Sequence, residues 1–355
     1  MNELTERQKI ILTLVIHEYI RTAAPVGSNT LVANYRLEMS SATVRNELAL
    51  LTELGYLRQP HTSAGRIPSE NGYRYFVSRL INNADLPDTN RRTISHQFFQ
   101  MRNDVEQWVH LAASVLAHQS RAAALVTPPH PERARLKHLE LISTRGRQVL
   151  MVMVLLGGEV RQRIFTLSEP VFQEQLSQCA ERISGHLKNQ DVNEIRQHKG
   201  QMSGLDSDVL DFLIDDMSQE DYVIGGDVVV DGLTNVLAEP EFTGAEDARQ
   251  ALKILEERSV LQSLVSRTAE SNFRGGVRVL IGGEGSYDEL RQWSIVLSSY
   301  GTPGLVTGTL GVLGPMRMSY GRAISTVRFL SSLLSDLVAE TLVDEPQFPT
   351  SEVNL

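Results

Sequence analysis

Apolar residues recur at helical spacing near the start of the chain, at Ile11, Leu14, Val15 and Tyr19, until Pro25 and Gly27 interrupt them. Thr5-Glu6-Arg7-Gln8 stands in front of that stripe as a capping box, in which the Thr and Gln side chains satisfy each other's backbone amides, so a first helix starts there. Ser28 caps a short second helix over Asn29 to Tyr35. Ser40 caps a third, which runs through Val44, Leu48, Leu51 and Leu54 to Gly55. Tyr56 to Pro68 is too rich in Pro and Gly for a helix and suits two short strands around a Ser-Ala-Gly turn. Tyr73, Phe76, Val77 and Leu80 return to helical spacing, and Asn82 to Asp88 reads as a linker.

Beyond the linker the pattern predicts a helical stretch over Thr89 to Ala122, strands at Leu139 to Ser143 and Val149 to Leu156, and a helix over Phe172 to Lys188. An acidic segment follows, in which Leu205, Val209, Leu210 and Leu213 form an apolar face and Asp227 to Asp231 a strand. Then come a helix over Ala245 to Ala269, a strand at Val277 to Ile281, a glycine-rich stretch to Gly314 and a closing helix over Ile324 to Leu342. The expectation is an α+β chain of several domains, with no internal repeat.

Composition changes this picture little. The longest apolar run, Val149 to Leu156, is too short to span a bilayer, and the N-terminus has no basic and apolar leader. The single cysteine, Cys179, excludes an internal disulfide and fits a reducing, cytoplasmic setting. Charge matters more. The net −9 argues against a nucleic-acid partner, but residues 1–79 hold nine Lys and Arg against seven acids, whereas residues 191–239 hold twelve acids against Arg196 and Lys199. The acidity is concentrated in one segment, which reads as an insertion.

With Val44, Leu48 and Leu51 facing a core, Ala42, Asn46 and Ala49 fall on the opposite face of the third helix and Arg45 on its flank. Small residues allow close approach to a major groove, Asn pairs with adenine, and Arg pairs with guanine or phosphate. An ordinary surface helix would carry the same residues. The hairpin tip alters the weighing: His61, Thr62, Ser63 and Arg66 around Gly65 offer short donors and a cation to a DNA backbone, and three helices followed at once by such a hairpin form a winged helix-turn-helix.

Ser40-Ser41-Ala42-Thr43-Val44-Arg45-Asn46-Glu47, Leu54-Gly55-Tyr56-Leu57, Gln59 to Pro68 and Gly72-Tyr73-Arg74 resemble the N-terminal signature of the HrcA family of bacterial heat-inducible repressors. Arg135 to Leu139, Gly225 to Phe242 and Gly311 to Tyr320 are similar to that family as well. The resemblance implies a winged-helix domain at 1–82, a linker at 83–88, a GAF-like domain in two parts at 89–188 and 241–345 with a tail at 346–355, and an inserted dimerisation domain at 189–240. It implies DNA contacts from Ser40, Ser41, Ala42, Thr43, Arg45, Asn46, Ala49, His61, Thr62, Ser63, Gly65 and Arg66. It also implies a homodimer on an inverted-repeat operator, CIRCE, upstream of chaperone operons. The partner is the chaperonin GroEL, which keeps the repressor active until heat stress draws it away.

Two other functional classes compete with this reading. A metabolite-responsive winged-helix regulator would hold an effector in the GAF-like domain. An enzyme, a hydrolase or transferase, is not expected: Gly282 to Gly285 and Gly308 to Pro315 match neither phosphate-loop nor dinucleotide patterns and read as tight turns between strands. The nine histidines show no metal-ligand spacing and no Gly-x-Ser-x-Gly elbow occurs, so Ser184-Gly185-His186 and His198-Lys199-Gly200 read as surface positions; no catalytic residue, cofactor or metal is expected.

Overall fold

A computed structural model describes residues 4–80, 86–101, 104–131, 134–156, 160–219, 228–244, 249, 276–282, 290–303 and 305–343. Its elements run α1 (Glu6–Thr22), α2 (Ser28–Tyr35), α3 (Ser41–Glu53), β1 (Leu57–Arg58), β2 (Ile67–Pro68), α4 (Glu70–Tyr75), α5 (Asp88–Gln100), α6 (Val105–Ser120), β3 (Ala123–Val126) and β4 (His130–Pro131). They continue with β5 (Leu136–Arg145), β6 (Gln148–Leu155), β7 (Val160–Thr166), α7 (Gln173–Leu187), α8 (Val192–Gln197), α9 (Leu205–Gln219), β8 (Val229–Asp231), α10 (Leu233–Leu237), β9 (Arg278–Ile281), β10 (Trp293–Thr302), β11 (Val306–Pro315) and α11 (Tyr320–Val338). The expected helix over 245–269, apart from Arg249, lies outside the described residues, as do 83–85 of the linker, Gly283 to Gly285 and the tail.

The chain forms two compact units, one of residues 1–128, 227–300 and 309–337, the other of 129–226, 301–308 and 338–355. In the first, strands in the order β8-β3-β11-β10-β9 make a sheet that is buried on both faces. Alternate residues of β10 divide the labour. Trp293, Ile295 and Leu297 join Phe242, Leu125 and Leu313 in an apolar layer, while Ser294 and Ser298 turn to α11 and bond Tyr320 at 2.7 Å and Ser331 at 3.1 Å. Trp108 of α6 meets Tyr300 edge-on from the same unit, with ring centroids 6.3 Å apart.

In the second unit β5, β6 and β7 form an antiparallel sheet in sequence order. Leu139, Leu141, Met151, Met153 and Phe165 line its inner face, against Leu176, Cys179, Ala180 and Ile183 on one stripe of α7. Val209, Leu210 and Leu213 of α9 are fully buried in the same cluster, which is the apolar face expected of them. The acidic stretch therefore does not stand alone here. Its described residues 189–219 share one compact unit with those of 129–188.

Three expectations need correction. The helical stretch over 89–122 is two helices, because the Asp104 carboxylate accepts from the Gln107 backbone N–H at 3.1 Å and starts α6 afresh. Strands β3, β7 and β10 have no counterpart in the expected pattern, the first being four residues with no alternation, buried throughout. Gly308 to Pro315 is not a turn but the body of a strand, in which a Cβ at Gly311 would overlap the Val296 carbonyl oxygen of β10. Among the described residues no helix is long and apolar enough to cross a membrane.

Gly311→Ala is expected to cost about 1–3 kcal/mol by overpacking this strand pair. Gly185→Ala in α7, where a Cβ meets open space, is expected to gain about 0.5–1 kcal/mol. Urea titrations of the two variants check the contrast.

Candidate nucleic-acid interface

The first helix is set by its cap: the Thr5 backbone N–H donates to Gln8 Oε1 at 3.1 Å and the Gln8 N–H to Thr5 Oγ1 at 3.3 Å. It ends when Ala23 turns left-handed (φ 53°), two residues before Pro25. On its buried stripe, next in register after Ile11 and Val15, sits a carboxylate. Glu18 is 3% exposed and accepts from Arg21 at 2.5 Å, from Asn34 Nδ2 at 3.0 Å and from the Tyr35 hydroxyl at 3.2 Å. The Arg21 hydrogen bond, opposed by burial and helped by Tyr35 and Asn34, holds the Glu18 carboxyl below the usual glutamate range. This group joins α1 to the end of α2.

Ser28 does not cap α2; Gly27 occupies that position. The Ser28 hydroxyl instead shares a hydrogen bond with Ser41 at 3.0 Å, and Ser41 also donates to Asn29 Oδ1. The start of α3 is thereby tied to the start of α2. Ser40 caps α3 as expected, accepting from the Thr43 N–H at 3.1 Å and sharing a bond with the Thr43 hydroxyl at 2.9 Å. Val44, Leu48 and Leu51 are buried, while Ala42, Arg45 and Asn46 are exposed and Ala49 is half-buried. The outward stripe thus offers methyl groups, one guanidinium and one carboxamide.

The hairpin pairs Leu57 with Pro68 and Arg58 with Ile67. Its tip is organised by Gln59, whose Nε2 donates to the Thr62 and Ala64 carbonyls at 2.8 and 3.1 Å, leaving His61, Thr62 and Ser63 exposed. Gly65 and Arg66 lie at the base rather than the tip. A Cβ at Gly65 would sit 2.5 Å from the Val26 carbonyl carbon, and Arg66 exchanges two backbone hydrogen bonds with Val26, at 2.9 and 2.8 Å. The Arg66 side chain is half-buried, and its Nε donates to Thr52 Oγ1 at 2.9 Å in the last turn of α3.

Of the twelve residues expected to meet DNA, Ala42, Arg45, Asn46, His61, Thr62 and Ser63 are therefore presented outward, and Ala49 lies half-buried beside them on α3. Ser40, Ser41, Thr43, Gly65 and Arg66 hold the frame that presents them. Sequence reasoning missed Glu18 and Gln59. Glu18 was signalled by a charge standing on the apolar stripe of α1, whereas nothing around Gln59 marks its role.

The family model for the HrcA protein C-terminal domain matches residues 106–324. The heat-inducible transcription repressor HrcA of Roseiflexus castenholzii is 46% identical over 346 residues, covering 95% of each chain, and that of Herpetosiphon aurantiacus is 42% identical over 357 residues, covering 99% of each. The chain belongs to the HrcA family. Because the family model starts at residue 106, the helices and hairpin described above are matched through the full-length relatives. A crystal structure described as that of a hypothetical protein is similar in fold, with TM-score 0.60 and 23% identity over 95% of this chain and 99% of that one.

Because its folded-state pKa is lowered, ionised Glu18 adds stability at neutral pH, and that contribution disappears as pH falls through the folded value, in the range below about 4.3. Glu18→Gln is expected to lose about 1–3 kcal/mol at pH 7 and to flatten the acid limb of the stability curve. Denaturant titrations between pH 3 and 7 measure both.

Proposed function

We propose that this chain is a transcription repressor that reads duplex DNA through a winged helix-turn-helix formed by α1 to α4 and the β1-β2 hairpin. The observation that carries the reading is the outward stripe of α3, where Ala42 and Ala49 flank Arg45 and Asn46 beside a buried Val44, Leu48 and Leu51. Small side chains permit groove entry, and the two polar ones match the donor and acceptor edges of purines. The exposed hydroxyls and imidazole of Thr62, Ser63 and His61 suit contacts to phosphate. The relatives' name, heat-inducible transcription repressor, supports the same reading.

Family membership extends it. The operator is the inverted repeat CIRCE of chaperone operons, repression is relieved by heat stress, and the chaperonin GroEL maintains the active form. The α/β part of the first unit takes the role of a GAF-like domain, and the second unit, which starts at 129 rather than at the 189 expected of the insertion, that of an inserted dimerisation domain in a cytoplasmic homodimer. One recognition helix reads too few base pairs for a genome, and a two-fold dimer doubles the site.

The second unit offers a surface for that pairing. The register aligns Ile142 with Leu150 and Ile164, and Val154 with Val160, across the outer face of β5-β6-β7. Ile164 is 63% exposed and Val160 55%, apolar positions on a face that also carries Glu140 and Gln162 either side of Val152, and such exposed apolar groups suit an isologous contact.

Selection of bound sequences from random duplex DNA, with and without chaperonin, tests the function: an inverted repeat should be enriched, and a folded chain with no preferred sequence refutes the reading. Arg45→Ala and Asn46→Ala should each cost about 1–3 kcal/mol of operator affinity and relax preference at one position per half-site; equal losses on random DNA would remove both from base readout. Ile164→Glu should convert the dimer to monomer in sedimentation at micromolar concentration. An unchanged dimer would move the interface elsewhere.

A further inference from the structure

The helices and hairpin that form the reading head meet the α/β core of the same unit through a few polar and aromatic contacts, one of them from a core side chain that two core carboxylates hold in place. Arg317 lies between β11 and α11 and is 9% exposed. Its Nε donates to Glu241 Oε1 at 2.6 Å, one Nη donates to the Glu239 carboxylate, and the other donates to the Ile20 carbonyl at 3.2 Å. Glu239 and Glu241 flank the turn Pro240–Phe242, which Phe242 fastens to the sheet by stacking on Trp293 with centroids 4.6 Å apart.

Ile20 belongs to the last turn of α1, where carbonyls lack partners inside the helix and the dipole presents its negative end. A guanidinium answers both needs. Its planar fork can serve the helix end and two carboxylates at once, a geometry that an ammonium cannot reproduce. The other anchorage comes from α4, immediately after the hairpin: the Tyr73 ring packs 5.7 Å from that of Tyr320, and Arg74 donates to the Ile281 carbonyl at 3.1 Å. The head is thus held at the end of α1 and along α4, with α3 between them in the chain.

We propose that Arg317 is a positioning residue that clamps the reading head to the core, so that α3 is presented at one angle and a dimer reads its two half-sites at a single spacing. The proposal rests on the DNA-reading function above. Its logic is geometric: an inverted repeat is read at fixed spacing only if each recognition helix is held at one angle in its protomer, and the clamp removes the freedom between the head and the core of its own unit. Removing the cation leaves two partly buried carboxylates facing an unpaired carbonyl, which favours separation of head from core.

Two experiments on the full-length chain test this. In selections from random duplex DNA, wild type should enrich one half-site spacing, whereas Arg317→Ala should enrich several that differ by about one or two base pairs, with affinity for an isolated half-site within about twofold of wild type. Arg317→Lys should recover the narrow spacing only in part. An unchanged spacing, or an equal loss on isolated half-sites, overturns the clamp. Should Arg317→Ala not fold, Glu241→Gln removes one anchor and is read by the same criteria.

The second experiment needs no DNA. A fluorophore on Ser63→Cys at the hairpin tip, with the native Cys179 buried, should tumble with the whole chain in wild type and gain a faster nanosecond component in Arg317→Ala. Absence of that component overturns the clamp. Its presence, in a chain for which no DNA sequence is enriched, keeps the clamp and refutes the DNA reading.

Discussion

Two backbone hydrogen bonds between Val26 and Arg66 close the hairpin onto the turn after α1, and the rest of the head depends on that closure. Strands of two residues cannot hold a hairpin in water by their own pairing. Here the pairing is extended by Val26 on one side and by the Ser69 N–H donating to the Tyr56 carbonyl at 3.1 Å on the other. The approach leaves no space for a side chain at Gly65. Once it is made, Arg66 is within reach of Thr52, so the end of α1, the end of α3 and the base of the hairpin become one object. Each hydrogen bond contributes only about 1 kcal/mol net; the larger consequence is that α3 and the tip cannot move independently.

How much of this was legible follows from the range of the interactions involved. The caps at Thr5 and Ser40, the inward face of α3 and the apolar face of α9 depend on neighbours within one or two helical turns, and these agree with the structure. Features set by distant residues were hidden. Ser28 looked like a cap because its sequence context is that of one, yet its hydroxyl is spent on Ser41, thirteen residues away. Gly308 to Gly314 looked like turns because glycine favours them, but the close approach of β10 to β11 requires the missing side chain at Gly311. Strand β3 is too short and too uniformly buried to display a period.

The site shows the same division. Which residues of α3 face outward was readable from a 100° wheel, and Arg45 and Asn46 stand where the wheel puts them. Gly65 and Arg66 were grouped with the tip because they are adjacent to it in the chain. Their structural neighbours, Val26 and Thr52, lie 39 and 14 residues away. Adjacency in sequence was a poor guide at the one place where the chain doubles back.

Buried and paired charge explains why net charge misdescribes this chain. Of the seven acids in residues 1–79, four are engaged locally: Glu6 with Lys9, Glu18 with Arg21, Glu47 with Arg7 and Glu70 with Arg74. Such pairs add little stability when exposed, but each neutralises its carboxylate where it stands. The same pairs engage Lys9, Arg21, Arg7 and Arg74, and Arg36, Arg45 and Arg58 remain exposed against Glu38 and Glu53, so the head keeps a small cationic excess in a chain whose overall sign is negative. A polyanion responds to the charge within about a Debye length of its own surface, ~10 Å at moderate salt, and a sum over 355 residues carries no such information. Part of the acidic segment that sets the overall sign is engaged inside its own unit, where Asp206 pairs with Arg182, Asp211 with Lys199, and Asp215 with Arg163.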